Sequence, residues 1–136
     1  MFCIKDYIIP FSLNVNGNHI IIKFISQIRY PYTGFIYESI VYNFMSLATD
    51  KYGCVVIQKS MNVLPRDHQI KRYIIQTIAQ NTKILITDMF GNYVLQNMIE
   101  QSYNDVNIFI TNYIVSDILT FARQKVASNV IEKVLY

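Results

Sequence analysis

Tryptophan is absent from this chain, and glycine (4), proline (3), cysteine (2) and histidine (2) are scarce among its 136 residues. So little Gly and Pro leaves few tight turns, which argues against a many-turned all-β fold and for helices joined by short links. Cys3 and Cys54 form no CxxC pair and no cluster with metal-ligand spacing. That argues against a zinc site or a disulfide framework and for a reducing compartment. Two histidines and two cysteines so far apart suggest no nucleophile–base pair, and no Gly-rich phosphate loop is present. The expectation is therefore a protein that is not an enzyme, with no cofactor, no metal and no small-molecule substrate.

Charge is sparse as well. Charged residues make up 15% of the chain and the net charge is +3, which permits an anionic partner without demanding one. No uninterrupted apolar run reaches about 18 residues, so no transmembrane helix is expected. Lys5, Asp6 and Pro10 make the N-terminal stretch a poor signal peptide. The default expectation is a soluble, cytoplasmic protein with no membrane partner.

What the chain does have is apolar surface, with 52% hydrophobic residues, 11 Tyr and 8 Phe. That composition excludes a disordered chain, and a chain of this length buries roughly two-thirds of its unfolded surface. It also has a repeat. Residues 14–23 (NVNGNHIIIK), 50–59 (DKYGCVVIQK), 88–97 (DMFGNYVLQN) and 124–133 (QKVASNVIEK) align on Gly17, Gly53, Gly91 and Ala127, at spacings of 36, 38 and 36 residues. Repeats of this length signal stacked supersecondary units.

Each aligned segment reads as a helix. Asn14, Asp50 and Asp88 stand three residues before the glycine, where a side-chain oxygen can accept from unpaired backbone N–H groups; Gln124 is a weaker cap. Apolar residues follow at helical spacing, as in Val94, Leu95, Met98 and Ile99. The marked helices lie near 14–28, 50–63, 88–101 and 124–136. A glycine recurring in the first turn costs helix stability, so it implies close approach of a neighbouring helix or of a ligand. Between the marked helices, residues 66–79 and 104–115 form longer amphipathic runs. Short apolar segments at 44–48, 83–86 and 117–122 lead into the next marked helix. A three-helix unit of this size cannot bury its apolar face alone, so the units stack into a solenoid. Residues 1–13 read as the tail of a preceding unit and the last unit lacks its partner helix, so the array reads as truncated at both ends.

Residues four apart on a helix share a face. The pairs are Asn18 and Ile22, Cys54 and Gln58, Asn92 and Gln96, and Ser128 and Glu132; His19, Val55, Tyr93 and Asn129 stand beside them. Small or amide groups paired with amides or acids, repeated at one register, line an edge of the stack. Amides and acids offer planar donors and acceptors to base edges, and rings suit base faces. Lys23, Lys59 and Lys133 follow at a fixed offset and either contact phosphates or keep the face soluble. Away from this register, His68 reads as a residue near a helix start with no role, and Lys71 and Arg72 as a solvated face. Tyr30, Tyr32, Tyr37 and Tyr42 read as core or interface.

The motifs NGNH (16–19), YGCVVIQK (52–59), FGNYVLQN (90–97) and ASNVIEK (127–133) closely resemble the Pumilio, or PUF, family of RNA-binding repeats. The resemblance covers essentially the whole chain and suggests four consecutive repeats from the second half of a Pumilio homology domain. It implies an all-α, armadillo-like superhelix with single-stranded RNA bound antiparallel along its concave face. By the family code, Asn92 and Gln96 read uracil, Cys54 and Gln58 adenine, and Ser128 and Glu132 guanine, giving 5′-GUA-3′ within a UGUA-like core. Asn18 belongs to the same edge. His19, Val55, Tyr93 and Asn129 take the stacking positions. Two residues depart from the pattern: Ile22 stands where the family has Gln, and Val55 where Arg or an aromatic usually stacks. The resemblance further implies binding to mRNA 3′ untranslated regions and post-transcriptional repression, with repression or decay proteins on the convex face. Two other readings stay open. One is a protein-interaction solenoid; the other is a degenerate, nucleolar rRNA-processing factor with little sequence preference.

Overall fold

The computed structural model describes residues 3–101 and 103–136, which contain helices and no strand. In chain order these are α1 (Lys5–Ser12), α2 (Gly17–Gln27), α3 (Gly34–Tyr42), α4 (Phe44–Ala48), α5 (Gly53–Val63), α6 (Gln69–Gln80), α7 (Thr82–Leu85), α8 (Gly91–Glu100), α9 (Asn104–Ser116), α10 (Ile118–Ala122) and α11 (Lys125–Leu135). The marked helices α2, α5, α8 and α11 pack one on the next as a row, and α3, α6 and α9 form a second row behind them. The short helices α4, α7 and α10 each pack against the marked helix that follows. The core runs continuously between the rows, through Ile36, Ile40, Leu47, Ile57, Met61, Ile74, Ile78, Leu95 and Ile110.

The caps explain where three of the marked helices begin. Asn14 Oδ1 accepts from the N–H groups of Asn16 and Gly17, both at 2.9 Å. Asp50 Oδ1 does the same for Tyr52 and Gly53, at 2.8 Å each. Asp88 Oδ1 serves Phe90 and Gly91, at 2.9 and 2.7 Å. Gln124 makes no such side-chain bond, and α11 starts two residues earlier in register.

The recurring glycine answers to a neighbouring helix. A Cβ on Gly53 would lie 2.6 Å from the Leu47 carbonyl oxygen and 2.7 Å from its Cα. At Gly17 the same atoms of Phe11 would lie at 2.7 and 2.8 Å, and at Gly91 the first obstacle is Leu85 Cδ2 at 2.9 Å. In each case the residue six positions upstream, on the short helix, fills the space. Phe11 thus stands to Gly17 as Leu47 stands to Gly53. Helix α1 packs on α2 as α4 packs on α5.

Of the four tyrosines read as core or interface, Tyr37 is in the core and Tyr30, Tyr32 and Tyr42 are exposed. Two other expectations outside the repeat register are corrected. His68 has a structural task, capping α6 by accepting from the Ile70 N–H at 3.2 Å and meeting the Tyr30 ring edge-on at 4.5 Å between centroids. Lys71 is buried rather than solvated: its Nζ donates to the Leu64 carbonyl at 3.2 Å and lies 5.8 Å from the centre of the Tyr103 ring. Burial, reinforced by Arg66, holds its pKa below the ordinary lysine value. Arg72, by contrast, is exposed and pairs with Asp67 at 3.6 Å.

Candidate nucleic-acid interface

The four marked helices present the same three-part arrangement. The first edge residue is sunk between units: Asn18, Cys54 and Asn92 are buried and Ser128 is half-buried. The next residue, His19, Val55, Tyr93 or Asn129, is exposed in every unit. One turn on, Ile22, Gln58 and Gln96 are half-buried and Glu132 is exposed. Side chains of a marked helix are therefore ordered from deep to shallow across one edge, as the spacing predicts.

A bond shared by all four units fixes that edge. Asn18 Nδ2 donates to the Val15 carbonyl at 2.9 Å, and Cys54 Sγ to the Lys51 carbonyl at 3.4 Å. Asn92 Nδ2 donates to the Met89 carbonyl at 2.9 Å, and Ser128 Oγ to the Lys125 carbonyl at 2.8 Å. An amide, a thiol and a hydroxyl thus all bond to the carbonyl three residues back, so chemically different groups are held in one geometry. The amides add a second bond, from Asn18 to the Asn14 carbonyl at 2.8 Å and from Asn92 to the Asp88 carbonyl at 3.0 Å. In sequence these positions look like free polar groups. Their donors are in fact committed locally, the common fate of Ser and Asn side chains near helix starts.

What remains free for a ligand follows from the inventory of donors and acceptors. Gln96 Nε2 donates to Asn92 Oδ1 at 2.9 Å, which leaves Gln96 an acceptor oxygen and a second N–H. Among the described residues Glu132 has no ion-pair partner, so both carboxylate oxygens are open. Tyr93 and Gln96 of α8 face Asn129, Glu132 and Lys133 of α11 across an open cleft of about 350 Å³, with Tyr136 at its rim. Residues of consecutive units therefore line a single space.

The lysines at the fixed offset differ from one another. Lys23 is exposed and Lys59 half-buried. Lys133 is ion-paired with Glu100 of the preceding unit. The equivalent position in the third unit is Asn97, whose Nδ2 donates to Asn62 Oδ1 at 3.3 Å, with Gln101 Nε2 also donating to Asn62 at 3.0 Å. A polar strut thus joins α5 to α8 and another joins α8 to α11 at the same register. The repeat spacing contains this signal, but only stacked helices bring the partners together.

The ionisation of Cys54 is displaced. Burial, and then the carboxylates of Asp50 and Asp88, push its thiol up to about 11. Since the thiolate is the reactive form, Cys54 in the folded chain should alkylate with iodoacetamide about tenfold or more slowly than in the denatured chain at neutral pH. Quantitative mass spectrometry of the labelled peptide checks this; equal rates would contradict the buried, protonated state. Among the described residues no group of three or more His, Cys, Asp or Glu side chains is placed to hold a metal ion. None of the described helices is long and apolar enough to cross a membrane.

Fold and edge together define a class: an α-solenoid whose units each offer one deep group, one surface group and one hydrogen-bonding group along a common row. A family model described as a Pumilio-family RNA binding repeat matches residues 43–76, 84–110 and 117–136. The chain is 35% identical over 133 residues to Pumilio homolog 12 of Arabidopsis thaliana, a match covering 97% of this chain and 22% of that protein. The Puf4 RNA binding domain bound to the HO endonuclease RNA 3′ UTR recognition sequence superposes with a TM-score of 0.89 at 26% identity, covering 97% of this chain and 42% of that one. PUF-8 in complex with PBE-RNA gives a TM-score of 0.88 at 27% identity, covering 97% and 39%.

This chain belongs to the Pumilio family of RNA-binding repeats, and its fold is the family's helical-repeat solenoid. It spans about a fifth of the length of the Arabidopsis relative and about two-fifths of these solved domains.

Proposed function

We propose that the row of marked helices binds single-stranded RNA, one base per unit, and selects a 5′-GUA-3′ core through its fourth, third and second units. The observation that supports this reading is the common bond of Asn18, Cys54, Asn92 and Ser128 to the carbonyl three residues back, which holds three kinds of side chain in one orientation in all four units. The reader is the pair: the side chain one turn on offers its edge to the base, and Cys54 or Asn92 at the fixed position distinguishes the two Gln units.

Guanine offers two N–H groups on its Watson–Crick edge, which suit the two free oxygens of Glu132. Uracil offers one N–H beside a carbonyl, which suits the acceptor and the remaining N–H of Gln96. Adenine offers an acceptor beside an amino group, which suits the amide of Gln58. Exposed Tyr93 supplies a ring face to bases on either side, at about 1–3 kcal/mol per stacked base. Val55 offers less contact, so the adenine position is the weaker one. Ile22 has no hydrogen-bonding group, and the first unit accepts several bases, held by His19. Lys23 and Lys59 supply cations along the row, whereas Lys133 must share its charge with Glu100.

The two solved relatives described above are bound to RNA, one of them to a 3′ UTR recognition sequence. By that likeness the cellular target is an mRNA untranslated-region element with a UGUA-like core, bound in the cytoplasm for post-transcriptional repression, with repression or decay proteins on the opposite face. Fluorescence anisotropy with short RNAs tests the binding claim. A UGUA-containing strand should bind about tenfold or more tightly than a scrambled strand of the same composition, a difference the size of one good base contact. Equal binding of both strands would replace this reading with sequence-indifferent RNA binding, and no binding to either would favour a protein-interaction role.

A further inference from the structure

Where the first two units meet, the stack is not closed. A cleft of about 350 Å³ opens between the end of α2, the loop that follows it and the end of α5. Of its lining residues, Ile25, Tyr37 and Leu64 are buried, while Gln27, Arg29 and Tyr30 are exposed. The next junction shows what such a space accepts. There Tyr103, from the loop after α8, sets its ring centre 4.8 Å from the Arg66 guanidinium carbon and 5.8 Å from Lys71 Nζ. Its hydroxyl donates to the Arg66 carbonyl at 3.3 Å. At the first junction the second unit lines the cleft with Val63, Leu64 and Pro65, and contributes no aromatic side chain.

Charge differs between the rim of this cleft and its interior. The two segments that meet here, residues 25–33 and 63–72, carry Arg29, Arg66, Lys71 and Arg72 against Asp67 alone. Asp67 is paired with Arg72 at 3.6 Å, and among the described residues Arg29 makes no ion pair. The surrounding surface is therefore positive. Inside, α2 and α5 come to their ends. The last carbonyls of a helix have no intrahelical partners and carry partial negative charge. A neutral ring with a hydroxyl donor suits such an interior, as Tyr103 does next door, whereas a phosphate there would face carbonyl oxygens. Carboxylates flanking the ring would meet the cations outside.

We infer that this cleft takes a tyrosine side chain from a partner protein, presented by a segment with acidic residues on either side of it. Aromatic anchors seated in pockets carry much of the binding energy of an interface. Both walls of the cleft lie within the chain, in its first and second units. The site is also offset from the base row: Gln27 lies five residues beyond Ile22, about 7 Å further along α2. The inference does not rest on what that row binds.

Nitrogen–proton correlation NMR of the full chain, titrated with the acetylated peptide Glu-Glu-Tyr-Glu-Glu, tests it. The expected result is saturable shifts, in the millimolar range of peptide, of the Gln27, Arg29, Tyr30, Leu64 and Arg66 amides. A peptide with Phe for Tyr should bind several-fold more weakly, the loss of one hydrogen bond, and one with Ala for Tyr should produce no shifts there. Arg29→Glu should weaken binding about tenfold or more, because the acidic flanks then meet a like charge. Arg29 is exposed, so the fold should persist, and the rest of the spectrum reports whether it does; Arg29→Gln repeats the experiment with a milder change and should fall between. Absence of shifts at these amides, equal shifts with the Ala peptide, or undiminished binding by Arg29→Glu would each overturn the inference. So would an oligouridine strand that moves the same amides while the peptide does not, which would make the cleft a nucleotide site instead.

Discussion

Replacing Ser128 by Asn together with Glu132 by Gln should move the fourth unit's preference from guanine to uracil and leave the other units unchanged. Glu132 is exposed and carries two acceptors, a match for guanine's paired N–H groups. An amide there has one donor and one acceptor, so a guanine N–H would face an N–H, and a mismatched polar edge costs about 1–3 kcal/mol. The third unit supplies the geometry of the swap. Asn92 bonds to the carbonyls of Met89 and Asp88, then accepts from Gln96 Nε2 at 2.9 Å. At the fourth unit the carbonyls of Lys125 and Gln124 occupy the same register. Affinity for strands with G at that base should fall about ten- to hundredfold and affinity for U should rise by a similar factor. Glu132→Gln alone should lose guanine with a smaller gain for uracil, because Ser128 cannot orient the introduced amide as Asn92 orients Gln96. Competition binding across four RNAs differing at one base measures this. A loss spread evenly over all four would show that Glu132 acts through charge rather than edge recognition.

How much of this was readable beforehand depends on sequence distance. Gly17, Gly53, Gly91 and Ala127 announced the stack, because a glycine in a first turn has a cost that packing must offset. Asn14, Asp50 and Asp88 cap within three residues, so their spacing is visible in a string. The short helix at 44–48 is legible as a local apolar segment leading into the next marked helix. Lys71 was not. Whether a lysine stays in water depends on what its stem lies against, and here that is the Leu64 carbonyl and a ring from the next unit, Tyr103. The Glu100–Lys133 pair likewise joins residues brought together only by stacking. At the edge, the pairing of positions four apart was visible, while the bond to the carbonyl three residues back was not. Ser128 and Cys54 look like free readers in sequence, but their donors turn toward their own helix starts.

Gly53→Ala should destabilise the fold by about 2 kcal/mol, the reverse of what its position in a helix suggests. Alanine is favoured over glycine in helices by about 1 kcal/mol, so the clash must exceed that gain. The added carbon would meet the Leu47 carbonyl oxygen at 2.6 Å and the Leu47 Cα at 2.7 Å, both backbone atoms. Leu47 itself is fully buried, so its backbone cannot shift without disturbing the core packing of its side chain. Overpacking of a close-packed interior costs about 1–3 kcal/mol, and more where backbone must move. Gly91→Ala sets the comparison. Its nearest obstacle is the tip of the Leu85 side chain at 2.9 Å, with the Leu85 Cα at 3.1 Å, so part of the strain relaxes by rotamer adjustment. The ordering expected from urea unfolding is therefore Gly53→Ala well below wild type and Gly91→Ala between them. Ala127 shows what accommodates a Cβ at this register: α11 begins earlier, at Lys125, with Gln124 in an extended conformation, so the helix enters on a different path. A stabilised Gly53→Ala chain would mean that α4 slides freely, and the glycine register would then need another cause.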